Sequence, residues 1–280
     1  MPTRPIFSSR QAHSESNAAV AAPVRRYGGR FGNAARTWAV AAMLLAGIAQ
    51  AHNSLEADVM FSAAREGNVA LFRDMVKAGA NVTASDDAGN TVAIFAAMSG
   101  QEPILREVLS HKLDLDARGG LGMTALGILV AHGDASGALR LLRAGANPNV
   151  ADANGVTPLA SALRLGRTGL AGRLLAAGAD PRIADQGGMT PLHIVAENGD
   201  AALAVTLLQA GADPNALDAE KRSPLFLALL RGHREVAEAL VRRPQTDLRL
   251  VSQGYAPAFW ARQMGFEDIA RSIEARLRRG

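Results

Sequence analysis

The sequence predicts an all-α solenoid of stacked helix–turn–helix units with projecting β-hairpin turns. Three observations carry this prediction. Glycine recurs at a spacing of 33 residues through Gly67, Gly100, Gly133, Gly166, Gly199, Gly232 and Gly265, without a slip. A hydroxyl keeps the same period at Thr91, Thr124, Thr157, Thr190 and Ser223. Between these marks, apolar residues recur at helical spacing in runs too short to form a core within one unit. The 28 glycines therefore punctuate the chain.

The stretch 185–217, DQGGMTPLHIVAENGDAALAVTLLQAGADPNAL, shows how each element arises. Thr190 can cap a first helix with its hydroxyl, and Pro191 suits the first helical position, where no N–H is needed. Leu192, Val195 and Ala196 supply its apolar stripe. Gly199 ends the helix in a left-handed conformation that glycine adopts at little cost. A second helix follows, with Leu203, Leu207 and Leu208 as its buried stripe, and Gly211 ends it. Asp213-Pro214-Asn215 then leads into an extended turn. Asp86, Asp152, Asp185 and Asp218 share one phase of the repeat, which reads as turn formation, not as acid/base pairing. Small alanines on the first helices allow neighbouring units to approach closely.

The period and two internal motifs, Thr190-Pro191-Leu192-His193 and Leu207-Leu208-Gln209-Ala210-Gly211-Ala212-Asp213, resemble the ankyrin-repeat family over roughly residues 55–280. The resemblance implies L-shaped units in a curved stack, with binding of another protein at the hairpin tips and the concave face of the first helices. It also implies a structural role for His193, bridging neighbouring turns by hydrogen bonds, and no catalysis by the repeats. The units are expected at 55–84, 85–117, 118–150, 151–184, 185–217, 218–250 and 251–280 within a solenoid over 52–280, the terminal ones serving as caps. Val92 and Ala125 stand in place of the family's proline, and Ile94, Gly127, Ala160 and Phe226 in place of its histidine. Lys112 and Pro244 replace a unit-ending glycine. Such departures suggest weaker units, or units adjusted to a partner. Tyr255, Phe259, Trp260 and Phe266 gather in the last unit, where they either cover the terminal core or form an exposed aromatic patch.

Residues 1–51 stand apart from this pattern. Residues 1–35 read as disordered, and the uncharged run over 37–51 follows Arg25, Arg26, Arg30 and Arg36 and ends in Ala49-Gln50-Ala51. A basic segment, a short apolar run and a small-x-small site read as a secretory signal peptide cut between Ala51 and His52. The run is short against the about 20 apolar residues of a membrane span. An uncleaved inner-membrane anchor facing the periplasm is one alternative, and a helix over the first unit is another. The long basic segment also suits a start downstream of Met1. The expected location is the periplasm or the exterior.

Charge changes meaning once the chain is divided. The formal net charge of +4 includes six arginines and one glutamate in residues 1–51. Residues 52–217 hold 12 basic and 17 acidic groups, whereas 218–280 hold 12 basic and 8 acidic ones, with arginines at 242, 243, 276, 278 and 279. This cluster reads as a solvated cap or as a dock for an acidic partner or membrane surface. It lacks the aromatic interleaving of a nucleic-acid surface. Without cysteine there are no disulfides, thiol nucleophiles or thiolate metal sites. His13, His52, His111, His132, His193 and His233 form no metal-binding spacing, so no metal, cofactor or catalytic set is expected. His132 and His233 adjoin turn glycines and read as surface residues. Gly119-Gly120-Leu121-Gly122 lacks the Lys-Ser/Thr of a phosphate cradle and reads as a hairpin connection.

Framework positions repeat; two columns near the ends of the first helices do not. They contain Met98, Ala131, Arg164, Glu197 and Leu230, and beside them Ser99, His132, Leu165, Asn198 and Arg231. These residues are the candidate partner-binding surface. The expected function is a monomeric protein–protein interaction scaffold in the bacterial periplasm. The alternatives are an accessory protein supporting an envelope enzyme, as in oxidative-stress defence, or a secreted host-directed effector.

Overall fold

The computed structural model describes residues 55–279, so the expected signal segment over 1–51 lies outside the described residues. Helix α1 covers 55–66 and is followed by α2 (Val69–Lys77), α3 (Val92–Met98), α4 (Glu102–Val108), α5 (Ala125–His132), α6 (Ala135–Arg143) and α7 (Pro158–Arg164). Then come α8 (Thr168–Ala176), α9 (Pro191–Asn198), α10 (Ala201–Gln209), α11 (Pro224–Leu230), α12 (Arg234–Val241), α13 (Pro257–Gln263) and α14 (Glu267–Leu277).

Helices α3, α5, α7, α9 and α11 begin at a threonine or serine cap, whereas α13 begins at Ala256. Thr124 Oγ1 accepts from Gly127 N at 3.1 Å, Thr157 Oγ1 from Ala160 N at 3.2 Å and Ser223 Oγ from Phe226 N at 3.2 Å. Proline opens α7, α9, α11 and α13, where its missing N–H would have had no helical partner. A glycine of positive φ follows each of α1, α3, α5, α7, α9, α11 and α13, and reverses the chain into the second helix of the pair.

Two layers result. From α3 to α13 each odd helix packs on the next, and the even helices form the other layer, as in the runs α2–α4–α6 and α10–α12–α14. An odd helix between two neighbours is buried nearly all round, as at Ala125 to Val130 of α5 and Pro224 to Leu229 of α11. Even helices keep one wet face. On α10 only Ala204 and Leu207 are buried, while Leu203 and Leu208 are half-buried against the core. Each fully buried leucine contributes about 1.5–3 kcal/mol, and for odd helices that burial comes from the adjoining units.

The connections correct the expected hairpins. Among the described residues there is no β-strand, and only two isolated bridges occur, Ser85 with Thr91 and Ser252 with Tyr255. The reason is how aspartate shares out the turn's hydrogen bonds. Asp185 N–H donates to Met189 O at 3.1 Å, but the Asp185 carbonyl accepts from Gly188 N at 2.9 Å within the turn. The returning Met189 N–H therefore donates to the Asp185 carboxylate, at 2.9 Å, and no further rung forms. Asp86, Asp152 and Asp218 repeat this arrangement with Asn90, Val156 and Arg222. Turns then bond sideways to one another: Gln186 N donates to Asn154 O at 3.1 Å, and Ala219 N to Gly187 O at 2.9 Å.

The glycines that end the odd helices face two different surroundings. At Gly199 (φ 82°) a Cβ would lie 2.5 Å from the His233 ring, whereas at Gly232 (φ 79°) it would meet nothing within 4 Å. Alanine at either position carries about 1 kcal/mol of left-handed strain. Gly199→Ala adds overpacking of about 1–3 kcal/mol against a rigid ring. Urea titrations followed by helical circular dichroism should give the lower midpoint for Gly199→Ala; equal midpoints would contradict this packing.

Candidate functional site

The non-repeating residues gather where the odd helices end. Met98 and Leu165 are about half exposed (47% and 51%), His132 is exposed, and Leu230 adds a further apolar side chain at the surface. The structure joins some members and leaves others apart. Arg231 Nη2 pairs with Glu197 Oε1 at 2.8 Å across adjacent units, and Asn198 Nδ2 donates to Leu163 O at 3.1 Å. Arg164 pairs with Asp185 on the turn that follows. Among the described residues no hydrogen bond or ion pair ties Met98, Ser99 or His132 to another member of the set. Exposed pairs of this kind contribute at most about 1 kcal/mol each, so they set side-chain position more than stability. Similar pairs link the second helices: Arg73 Nη2 with Glu107 Oε2 at 2.7 Å, Arg140 Nη2 with Glu102 Oε1 at 3.0 Å, and Arg234 with Asp268. The hydrogen bond from Arg73 holds the Glu107 carboxyl below its ordinary range.

A second set of residues, absent from the sequence reading, ties the units together behind this surface. From Gly67 to Gly232 the residue just after each helix-ending glycine alternates in role, and Phe266 after Gly265 does not continue the series. Asn68, Asp134 and Asp200 cap their own helices, accepting from Leu71 N, Gly137 N and Leu203 N. Gln101, Arg167 and His233 make no such cap. Instead Arg167 Nη2 donates to Ala131 O at 2.9 Å and His233 Nε2 to Glu197 O at 2.8 Å, each over a glycine of the preceding unit. Gln101 likewise lies over Gly67. His233 is therefore a half-buried joint residue and not a surface histidine. The signal was available as a period of 66 in residue type, short oxygen-bearing caps alternating with longer side chains.

His193 is buried between units. Its Nδ1 accepts from Thr190 N at 3.2 Å and lies 2.8 Å from Thr190 Oγ1, while Nε2 donates to Arg222 O at 3.0 Å. A backbone N–H can only donate and a carbonyl can only accept, so the ring is neutral with its proton on Nε2. Burial pushes its pKa below the ordinary imidazole value, against the opposing pull of the Arg222 carbonyl.

At the C-terminal end the aromatics divide their roles. Trp260 packs edge-on against Phe226 at 5.1 Å between centroids, and its Nε1 donates to Ser252 O at 3.1 Å. Tyr255 and Phe259 stack on each other at 4.1 Å and stay at the surface. Of the arginine cluster, Arg276 is structural: it donates to Val241 O and Pro244 O at 2.6 Å and to Thr246 O at 2.9 Å. Arg242 pairs with Glu238 at 2.7 Å. Among the described residues no group of three or more His, Asp or Glu side chains could hold a metal ion, and no helix is long and apolar enough to cross a membrane.

The comparisons with known proteins agree with this architecture. A sequence profile for three tandem ankyrin repeats matches residues 59–152, 126–218 and 192–274, so the chain belongs to the ankyrin-repeat family. It is also similar to a chain in the solved complex of a predatory endopeptidase from Bdellovibrio bacteriovorus with an immunity protein. That similarity has 28% sequence identity and a TM-score of 0.56, and covers 66% of this chain and 97% of the other. No curated protein sequence matches the chain.

The neutral His193 makes stability depend on pH. Below about pH 6.5 the unfolded chain takes up a proton that the folded chain resists, because its imidazole pKa is lowered. The contribution is complete above that pH and is lost as pH falls toward the lowered folded value. Thermal unfolding between about pH 7.5 and 5.5 should show a falling midpoint, with a flatter dependence in His193→Gln. An unchanged slope in the variant would contradict this role.

Proposed function

We propose that this protein works by binding another protein through the ends of its first helices, and that the partner is an enzyme which it guards or assists. The observation that carries this reading is the contrast within the repeat. Caps, helix-ending glycines and turn aspartates recur from unit to unit, while Met98, Ala131, Arg164, Glu197 and Leu230 share equivalent positions and differ in chemistry, as do Ser99, His132, Leu165, Asn198 and Arg231 beside them. A surface of mixed apolar and charged side chains on a rigid framework suits recognition of a specific protein. Membership of the ankyrin-repeat family supports protein binding as the general role. The similarity to a chain in an endopeptidase–immunity protein complex favours an accessory role beside an enzyme over a free-standing scaffold. The basic and apolar segments of residues 1–51 support export, which places the expected partner outside the cytoplasm.

Affinity capture of the full chain from envelope extracts, followed by mass spectrometry, should recover an enzyme, and the recovered protein should begin at His52. Arg164→Ala combined with Glu197→Ala should weaken capture about ten-fold without unfolding. Unchanged affinity would remove this surface from the reading. An intact N-terminus in the soluble cytosol would contradict export.

A further inference from the structure

The alternation of joints leaves the places over Gly100, Gly166 and Gly232 open, and the one over Gly166 borders a depression. Where α7 and α9 adjoin, a depression of about 400 Å³ is lined by residues including Leu163, Arg164, Gly166, Asn198, Asp200 and Leu203. Its position is equivalent to the places that Arg167 and His233 fill at the two flanking joints. There, a nitrogen donor lies over the helix-ending glycine and bonds the carbonyl two residues before it, Ala131 O beneath Arg167 and Glu197 O beneath His233. Here the glycine is Gly166, nothing lies within 4 Å of where its Cβ would be, and the equivalent carbonyl belongs to Arg164.

The residue that would fill the space is Asp200, which follows Gly199 as Arg167 follows Gly166 and His233 follows Gly232. A carboxylate has no proton to donate to a carbonyl near neutral pH, and Asp200 Oδ1 instead accepts from Leu203 N at 2.9 Å. The Arg164 guanidinium is drawn off to Asp185. What faces the depression is thus the carbonyl end of α7, which carries partial negative charge, together with a carboxylate that retains unused lone pairs.

We infer that this joint is a socket for an arginine side chain of the partner protein, entering as Arg167 does one joint earlier. The guanidinium donates to the Arg164 carbonyl and to the Asp200 carboxylate, and its methylene stem lies along Leu163 and Leu203. The inference rests on the protein-binding reading above and adds the chemistry of an anchor. The charge of the surrounding chain suits it, since residues 52–217 hold 17 acidic and 12 basic groups.

The test uses the full chain and two N-acetylated, C-amidated tripeptides, glycyl-arginyl-glycine and its uncharged citrulline counterpart, with amide chemical shifts as the readout. The arginine peptide should shift the Gly166, Asn198 and Leu203 amides, and the citrulline peptide should shift them far less. Asp200→Arg places an internal guanidinium in the socket and should abolish the shifts. Asp200→Asn keeps a capping oxygen and should weaken binding about five-fold, the scale of one solvent-screened charge. Absence of shifts, equal shifts from both peptides, or full binding by a folded Asp200→Arg chain would overturn the socket. A partner captured equally well by wild type and Asp200→Arg would overturn it while leaving protein binding intact. Peptide binding without any captured partner would leave the socket and remove the proposed function.

Discussion

Everything in this molecule follows from the inability of one helix pair to bury its own apolar surface. The odd helices are apolar almost all round: α11 reads PLFLALL, and all but its last residue are buried. Such a helix is stable only between two others, which the neighbouring units supply. Alanines at 97, 162, 196 and 228 keep these helices thin on their packed sides and are completely buried. The joint between units, and not the unit itself, is the element on which stability depends.

The joints are not equivalent. Helix-ending glycines share one backbone conformation, yet Gly133 and Gly199 each lie under a side chain from the next unit while Gly166 and Gly232 do not. The choice is made by the residue after the next glycine in the series. A short oxygen-bearing side chain turns back to cap its own helix, a longer donor reaches across to the preceding carbonyl, and Phe266 at the last joint does neither. A similar division occurs in the connecting loops. Asn149 accepts from Asp180 N at 2.8 Å and donates to Gly178 O, and Asn215 bonds Asp247 N and Gln245 O in the same way, but Arg182 pairs with Asp180 in its own loop. The chain closes some joints with side-chain bonds and leaves the matching place at others empty.

Much of this could be read before the structure. Glycine and hydroxyl periods mark helix ends because those residue types answer local backbone demands, namely a positive φ and an unsatisfied N–H. The hairpins could not be read. An extended strand pair and an aspartate-closed turn use the same polar residues, and the difference lies in whether the returning N–H meets a carbonyl or a carboxylate, as at Met189. The joint role of His233 is hidden in the sequence for a related reason. Its place beside a glycine suggests a surface turn, and only the approach of the neighbouring unit brings the Glu197 carbonyl within reach. Of the candidate surface, the positions were legible from their lack of repetition. The Glu197–Arg231 pair and the empty socket over Gly166 required the spatial register of adjacent units.

The dependence of each unit on its neighbours is most directly tested by native-state hydrogen exchange across the whole chain in an Ala196→Leu variant, which enlarges one fully buried side chain of α9. Protection should fall in α9 and also in α7 and α11, the odd helices packed on either side, with smaller losses further away. Loss of protection confined to α9 and α10 would contradict the account, because the unit would then be holding its own core.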